Sequence, residues 1–389
     1  MRHAQRLDAL AGAYAFAELD RLCAERRADG VDVIDFGVGD PTDPTPDVIV
    51  NAARDGLERH RRSGYPSYRG GPEFRAAAAA WIARREACTL DPDTQLLASL
   101  GSKEAIMHLP LAFVQPGDTV LLPSPGYPPY ARGAALAGGR VQAYSVNMEG
   151  SPLPDLDALE LPVDQRLALV WITQPHVPTG RAATVEELRR LAEQCRERGA
   201  LLCSDEAYID LWREQPPPSA LRAGCDNVLV FHSLSKRAAM TGYRVGFVAG
   251  DARAIDALGR LKTNIDSGTP HFIQDAAIAA LSDETAPAAA RAAYAARADA
   301  LVPGLRAAGC AAEVPAAGFY VWAAAPEGSG VDFAKRLLAE SPGLAALPGE
   351  WLADPVSDQL AQPGDGRVRF ALVPSLTRCE EAAARLAAW

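Results

Sequence analysis

The sequence predicts an α/β protein whose larger part contains a mainly parallel sheet. From about Gln95 onward, short apolar runs alternate with helical stretches, a pattern typical of strands connected by crossover helices. With 389 residues, the chain can bury a large core and form more than one domain. The predicted strands are residues 95–99, 118–122, 166–173, 200–204, 227–231 and 246–250.

The composition argues against several classes of function. Hydrophobic residues make up 48% of the chain, which is typical of a globular protein, but no apolar run reaches the ~18 residues needed to span a bilayer. A net charge of -10 argues against nucleic acid or an anionic membrane as a partner. The seven cysteines include no CxxC pair and the six histidines show no metal spacing, so neither a disulfide framework nor a metal site is expected. The start lacks the apolar stretch of a secretory signal, so we expect a cytoplasmic protein.

Two loops rich in glycine and proline precede the predicted sheet. A helix-like stretch, Arg6 to Arg27, and a strand, Val31 to Phe36, lead into the first loop, residues 37–46. The second loop, residues 65–75, precedes an alanine-rich helix. Such a loop is either a simple turn or a segment that lies close to a bound molecule.

Residues suited to ligand binding follow several of the predicted strands. Gly101-Ser102-Lys103 opens a helix after the first of them, and the free backbone amides of a helix start can bind an anion. Asp205 follows the strand 200–204, at the end of a strand where open α/β sheets bind their ligands. On its own, such an aspartate is more often a helix cap or a turn residue.

The segment after the strand 227–231 combines an amine with side chains that bind phosphate. It contains Ser233, Ser235, Lys236 and, eight residues after the lysine, Arg244. A lysine amine can form a Schiff base with an aldehyde cofactor, and serine hydroxyls and arginine are the donors expected around a phosphate dianion. A solvated loop would explain the short serine and lysine motif equally well, so its interpretation depends on the rest of the chain.

Two further helices and an arginine-containing strand complete the predicted pattern. Thr184 and Glu187 form a capping box that starts a helix, and a long alanine-rich helix covers about Pro287 to Ala308. In the run Gly366 to Leu372, Arg369 alternates with apolar residues. By itself this pattern would put Arg369 on the solvent face of an edge strand.

In this order and spacing, the motifs resemble those of the pyridoxal-phosphate (PLP) dependent aminotransferases of classes I and II. The segment from Ser233 to Arg244 resembles the Ser-x-Ser-Lys-x(7)-Arg signature of that family. Within the family, the chain resembles LL-diaminopimelate aminotransferases in particular, and the resemblance covers nearly its whole length. The segments that carry this second resemblance are residues 37–41, 65–68, 101–104, 125–128, 231–236, 240–242 and 262–268.

The resemblance implies a fold-type-I PLP enzyme with two domains. We expect a large PLP-binding domain, residues 46–278, in which a mixed, mostly parallel sheet lies between helices. A smaller α+β domain, residues 279–389, is expected to be joined by the N-terminal segment 1–45. The resemblance also implies an amino-acid substrate, no bound metal, and a homodimer with shared active sites.

The resemblance assigns roles to individual residues of this chain. Lys236 would form the Schiff base with PLP and shuttle protons, Asp205 would pair with the pyridine nitrogen, and Tyr208 would donate to the phenolic oxygen of the cofactor. Tyr127 would stack on the ring, and Arg369 would bind the substrate carboxylate. The other residues expected at the cofactor or the substrate are Gly101, Ser102, Lys103, Ser233, Ser235, Arg244, Gly39, Val177 and, from the neighbouring subunit, Tyr65.

One motif departs from the family. Where these aminotransferases have Asn-Pro-Asn-Asn-Pro-Thr-Gly, the chain has Gln-Pro-His-Val-Pro-Thr-Gly at residues 174–180, so Val177 replaces an asparagine that donates to the phenolic oxygen. We therefore consider two functions: an aminotransferase, and a PLP enzyme that catalyses elimination, replacement or cyclisation of an amino acid in a specialised pathway. A PLP-binding protein without catalysis is a third possibility, which the retained Lys236, Asp205 and Tyr208 disfavour.

Overall fold

The structure is a computed structural model that describes residues 2–10, 15–162, 165–352 and 364–389. Its α-helices are α1 (Ala15–Ala28), α2 (Asp47–Arg59), α3 (Pro72–Glu86), α4 (Ser102–Phe113), α5 (Pro129–Leu136), α6 (Val185–Glu197), α7 (Leu234–Arg237), α8 (Ala252–Lys262), α9 (His271–Ser282), α10 (Thr285–Ala307), α11 (Gly330–Ala339) and α12 (Leu376–Ala387). Its strands are β1 (Ile34–Asp35), β2 (Leu96–Ser99), β3 (Thr119–Ser124), β4 (Arg140–Ser145), β5 (Leu167–Thr173), β6 (Leu201–Asp205), β7 (Val228–Ser233), β8 (Gly246–Gly250), β9 (Tyr320–Ala324), β10 (Leu344–Ala345), β11 (Leu347–Pro348) and β12 (Arg367–Ala371).

The central sheet has seven strands in the order β2-β8-β7-β6-β5-β3-β4. Strands β3 to β7 are parallel to one another, whereas β8 pairs antiparallel with both β7 and β2. Strands β2, β3, β5, β6 and β8 are buried along their whole length, because each face of the sheet packs against its own hydrophobic core. The predicted α/β class with a mixed, mostly parallel sheet is confirmed.

The carboxyl ends of these strands bring distant parts of the chain to one edge of the sheet. Because β2 and β7 both run antiparallel to β8, the end of β2 lies at the same edge as the ends of the parallel strands. The segments that follow β2, β3, β5, β6 and β7 begin near Gly101, Tyr127, Val177, Asp205 and Lys236. The topology thus gathers the predicted site residues where open α/β sheets bind ligands.

A second sheet of three antiparallel strands has the order β11-β12-β9, with β12 in the centre. The N-terminal segment joins this part of the molecule, because β1 pairs with β10 and the ring of Phe36 packs edge-on against Phe370 at 6.1 Å. Helix α10 packs against α12 beside the same sheet. The domain boundaries at residues 45 and 278 stay a prediction.

The first elements of the chain differ from the prediction. In place of one helix from Arg6 to Arg27, a 3-10 helix covers Gln5–Leu10 and α1 begins at Ala15, while residues 11–14 lie outside the described residues. The strand expected over residues 31–36 is reduced to β1. It ends early because the Asp35 carboxylate accepts a hydrogen bond from the Gly37 amide at 2.9 Å, which turns the chain.

The later helices agree with the sequence pattern. The capping box at the start of α6 is confirmed, since Thr184 accepts from the Glu187 amide and Glu187 accepts from the Thr184 amide. Helix α10 also lies within a few residues of its predicted bounds. None of the described helices is long and apolar enough to cross a membrane.

Candidate active site

A cleft of about 480 Å³ lies at the carboxyl edge of the central sheet, beside β9 and β12 of the second sheet. It brings together most of the predicted site residues although they come from widely separated parts of the chain. Those that line it are Gly39, Ser102, Lys103, Tyr127, Val177, Asp205, Tyr208, Ser233, Ser235, Lys236, Arg244 and Arg369.

Lys236, on the short helix α7, extends a half-buried amine into this cleft. Its Nζ donates to the carbonyl oxygen of Gly39 at 2.5 Å and lies 5.6 Å from the centre of the Phe319 ring. Burial lowers the pKa of the Lys236 amine to about 8, although the nearby Asp40 carboxylate opposes this change. A substantial fraction of the amine is therefore neutral near physiological pH, as a nucleophile or general base requires.

Asp205, the last residue of β6, is a buried carboxylate whose hydrogen-bond donors carry no charge. Its Oδ2 accepts from the Tyr130 hydroxyl at 2.8 Å and its Oδ1 from the Ala207 amide at 3.1 Å. Burial raises the pKa of Asp205 to about 6, against the effect of these two hydrogen bonds. Tyr130 is itself held by stacking on Trp171, with ring centres 4.8 Å apart. A protonated ring nitrogen bound in the cleft would supply a positively charged partner for this carboxylate.

Another group of residues in the cleft is suited to bind an anion. Helix α4 begins at Ser102, so its free N–H groups and the positive end of its dipole lie here. Gly101 precedes it with φ +82, and a Cβ at this position would come within 2.5 Å of Nη2 of Arg244. The Arg244 guanidinium donates to the Thr241 carbonyl at 2.7 Å, which holds it beside the helix start. The hydroxyls of Ser233 and Ser235 line the same cleft.

A third group of residues connects the two sheets across the cleft. The hydroxyls of Tyr208 and Tyr320 are 2.9 Å apart, and burial raises the pKa of Tyr208 well above its usual value. Arg369 lies on the central strand β12, where it is buried instead of facing solvent as an isolated edge-strand pattern would predict. Its Nη2 donates to the Gly37 carbonyl at 2.8 Å, and its guanidinium lies 4.5 Å above the Tyr320 ring.

The loop that departs from the family presents an apolar side chain to the cleft. Val177 is half-buried and packs against the core cluster that includes Phe319 and Tyr320. The Gln174 side chain is used within the loop, because it donates to the Ala183 carbonyl and accepts from the Ala183 amide. Both ring nitrogens of His176 are likewise engaged, one with Thr179 at 2.9 Å and one with the Pro125 carbonyl at 3.1 Å. These contacts leave neither polar side chain to replace the missing asparagine.

Two predicted site residues do not line the cleft of this chain. Gly101 does not line the cleft but packs closely against the Arg244 side chain, which does. Tyr65 is 90% exposed on the surface, so any role at the cofactor requires a second subunit.

The cleft residues that sequence reasoning missed include Tyr130, Tyr320, Asp40 and Asp20. Tyr130 follows Tyr127 by three residues, a spacing that would bring both rings to one side of a helix start. Tyr320 lies in the alternating run 319–322, which signals a strand but not which face meets the site.

Comparison with known proteins gives a consistent result. The sequence profile of the family Aminotransferase class I and II matches residues 31–386. An LL-diaminopimelate aminotransferase of Aquifex aeolicus is 40% identical over 378 residues, which cover 96% of this chain and 95% of that protein. The substrate-bound BacF structure from Bacillus subtilis has a TM-score of 0.90 and 27% identity, covering 100% of this chain and 98% of that one. An aspartate aminotransferase from Thermus thermophilus with maleate has a TM-score of 0.88 and 30% identity, with both chains covered completely.

The fold and the cleft thus define a fold-type-I PLP enzyme, because an amine, a buried carboxylate and an anion site face one cavity at the strand ends. The chain belongs to the class I and II aminotransferase family and is a PLP-dependent aminotransferase. The comparisons do not support the alternative of elimination, replacement or cyclisation. Within the described residues, no group of three or more His, Cys, Asp or Glu side chains could hold a metal ion.

Proposed function

We propose that the protein transfers the amino group of an α-amino acid to a 2-oxo acid, with Lys236 as the Schiff-base lysine and the proton carrier. The observation that carries this proposal is the Lys236 amine, whose pKa burial lowers to about 8, in the same cleft as the buried Asp205. A neutral Lys236 amine would take a proton from the substrate Cα, and the resulting ammonium would return that proton to C4′ of the cofactor, the carbon on the other side of the substrate nitrogen. The same residue therefore serves as base and acid in one turnover.

The residues around Lys236 fit PLP. When bound, PLP supplies a ring that accepts the electrons of the bond broken at Cα. Arg244 and the start of α4 would hold its phosphate, and the Asp205 carboxylate would keep a proton on the ring nitrogen. The Tyr208 hydroxyl would donate to the phenolic oxygen, and Tyr127 would cover one face of the ring. These assignments are supported by the cleft geometry and by the residue-by-residue resemblance.

The substrate contacts proposed for this cleft distinguish its two ends. The Arg369 guanidinium would bind the α-carboxylate, which suits its fixed, buried position. The exposed carboxylate of Asp20 lines the cleft and would attract a cationic group at the far end of the substrate, whereas Asp40 lies near the Lys236 amine. We therefore propose a donor with a distal ammonium group. LL-diaminopimelate, named in the relatives with about 40% identity, has such a group, together with a carboxylate on the same carbon.

Product analysis tests the reaction and its donor. The holoenzyme is incubated with 2-oxoglutarate and LL-diaminopimelate, L-lysine, L-aspartate or L-alanine, and glutamate and the new 2-oxo acid are measured by mass spectrometry. We expect glutamate in equal amount to the 2-oxo product, with the diamino donors preferred over L-aspartate. Asp20→Asn should raise KM for a diamino donor several-fold and leave KM for L-alanine unchanged. Lys236→Ala is the inactive control, and amino-acid turnover without glutamate would overturn the proposal.

A homodimer in the cytoplasm, with active sites shared between subunits, is part of the proposal. The dimer is supported by a set of exposed apolar side chains that includes Tyr65. Its other members are Leu57, Tyr68 and Ile265, which are 55%, 39% and 43% exposed. A groove of about 420 Å³ lies beside these side chains, between the end of α2 and the start of α9. Burial of such a surface against a second copy would offset its exposure to water.

Subunit complementation tests the shared site. Tyr65→Ala and Lys236→Ala damage different chains of one site if Tyr65 crosses the interface. Mixed and reassembled dimers should then recover about a quarter of wild-type activity, because half are heterodimers and each contains one intact site. Asp205→Asn mixed with Lys236→Ala is the matched control and should recover none, since both residues belong to the same chain's cleft. No recovery in the first mixture would argue against a shared site.

A further inference from the structure

Tyr320 lies at the centre of the candidate active site, although no sequence motif pointed to it. Its side chain lines the cleft and is only 4% exposed. Its hydroxyl is 2.9 Å from that of Tyr208, and a Cβ on Gly39 would collide with the same hydroxyl. Its ring lies 4.5 Å beneath the Arg369 guanidinium. One side chain therefore contacts three residues with proposed roles toward the cofactor or the substrate.

The direction of the hydrogen bond between the two tyrosines follows from the proposed role of Tyr208. A phenolic hydroxyl donates one hydrogen bond and can accept others. If Tyr208 donates its proton to the phenolic oxygen of PLP, its own oxygen is left to accept, so Tyr320 is the donor of the pair. Donation by Tyr320 polarises the Tyr208 O–H bond and makes Tyr208 a stronger donor.

We call the hydrogen bond from Tyr320 to Tyr208, together with the one from Tyr208 to the phenolic oxygen, the relay. Val177 makes the relay especially important in this chain. A valine side chain donates no hydrogen bond, and the polar groups of Gln174 and His176 are engaged with Ala183, Thr179 and Pro125. Tyr208 is then the one hydroxyl donor proposed for the phenolic oxygen, so anything that strengthens it has a larger effect than in a site with two donors.

We propose that Tyr320 is a positioning residue with two separable parts: its hydroxyl strengthens donation by Tyr208, and its ring supports Arg369 beneath the substrate carboxylate. The inference rests on the proposed roles of Tyr208 and Arg369. The opposing explanation is a core tyrosine that only fills space beside Phe319, whose ring centre lies 4.7 Å away. In that case neither the hydroxyl nor the ring would affect the spectrum of bound PLP or carboxylate binding.

Two variants of Tyr320 separate these parts in the holoenzyme. Tyr320→Phe removes the hydroxyl and keeps the ring, whereas Tyr320→Leu removes both. The matched control is Tyr294→Phe, which removes a hydroxyl from a buried tyrosine that also packs on Phe319, with ring centres 4.9 Å apart, but does not line the cleft. Tyr208→Phe is measured in parallel. The readouts are the pKa in the absorbance titration of bound PLP and the Kd of hexanoate, a carboxylate without an amino group, measured at fixed pH.

The expected pattern differs for each variant. Tyr320→Phe should raise the absorbance pKa by roughly half a pH unit and leave the Kd of hexanoate within twofold, because a weakened donor stabilises the phenolate less. Tyr320→Leu should raise the same pKa and also weaken hexanoate binding about 5-fold, since the ring beneath the guanidinium is lost. Tyr294→Phe should match the wild type in both readouts.

The controls distinguish failure of this inference from failure of the proposed function. If Tyr208→Phe raises the absorbance pKa and Tyr320→Phe does not, the relay is refuted and the role of Tyr208 stands. If Tyr208→Phe itself leaves the pKa unchanged, the proposed role of Tyr208 fails and the relay fails with it. If Tyr320→Leu does not fold, the absorbance pKa of Tyr320→Phe alone decides the relay. Whether the carboxylate binds at Arg369 is then decided by comparing hexanoate binding to Tyr320→Phe and to Arg369→Gln.

Discussion

Replacing Asp40 by Asn is expected to shift the pH dependence of cofactor loading. Attack on the PLP aldehyde requires a neutral Lys236 amine, whose pKa burial lowers to about 8 while the Asp40 carboxylate opposes the change. At pH 7 about one-tenth of the amine is then neutral, compared with about 0.03% for a lysine at its ordinary pKa of 10.5. The buried position therefore increases the reactive fraction about 300-fold at that pH.

Removing the Asp40 charge lowers the pKa of Lys236 further, by roughly half a pH unit. The neutral fraction at pH 7 then rises to about one-quarter, so loading should become about 2.5-fold faster. At pH 9 the amine is neutral in both proteins and the two rates should agree. The variant therefore loads PLP faster only below pH values near 8. This is the expected direction, because the Asp40 carboxylate stabilises the protonated form of Lys236 and its removal favours the neutral form.

Stopped-flow absorbance of apo enzyme mixed with PLP, from pH 6 to pH 10, measures these rates. Nα-acetyl-lysine in the same buffers corrects for the titration of PLP itself. Asp29→Asn is the matched control, because it removes an exposed carboxylate, paired with Arg26, that does not line the cleft. A wild-type profile with its midpoint near pH 10, or an Asp40→Asn profile identical to the wild type, would refute the reasoning.

Three further predictions follow from the same geometry. Val177→Asn should lower the absorbance pKa of bound PLP and speed half-transamination of simple amino acids, because it adds a donor near the phenolic oxygen. If the wild type and the variant have the same pKa and the same kinetics, the substitution of asparagine by Val177 has no effect on function. Arg369→Lys should raise KM for the amino donor about 10-fold or more with less effect on kcat, since an ammonium cannot form a two-pronged bond; steady-state kinetics measure this. Arg237→Met removes the buried guanidinium that pairs with Asp210 and Glu284, whereas Arg85 stays 3.5 Å from Asp210 and Glu284 is largely exposed. The variant should lower the free energy of unfolding by about 2 kcal/mol in urea titration, and a change below about 0.5 kcal/mol would contradict this explanation.

The behaviour of Arg237 illustrates a limit of sequence reasoning. It directly follows Lys236, so proximity in sequence would put its charge near the cofactor. In the structure it is 2% exposed and turned away from the cleft, bound to Asp210 at 2.8 Å and Glu284 at 3.0 Å. Successive residues of a short helix point in different directions, and only the packing of α7 against the segment after β6 and the start of α10 decides which direction contains the partners.

Arg369 and Tyr130 show the same limit for residues that the fold brings into the site. The alternation around Arg369 indicates a strand, but the pairing of β12 between β9 and β11 decides that this arginine is enclosed. Tyr130 donates to Asp205 from 75 positions away in the chain. No local pattern encodes a contact of that kind, because it depends on how β3 and β6 are arranged within the sheet.

The sequence by itself determined the α/β class, six of the seven strands of the central sheet, all but β4, and the motifs that resemble those of the family. Apolar runs and caps are local signals, and in a mainly parallel sheet the carboxyl ends of the strands fall at the same edge, so Asp205 and Lys236 were expected together, while the family resemblance added Arg244. Only the tertiary structure decided how the second sheet closes over that edge. Tyr320 reaches Tyr208 across 112 positions of sequence, and the packing that brings the two hydroxyls together depends on both sheets at once.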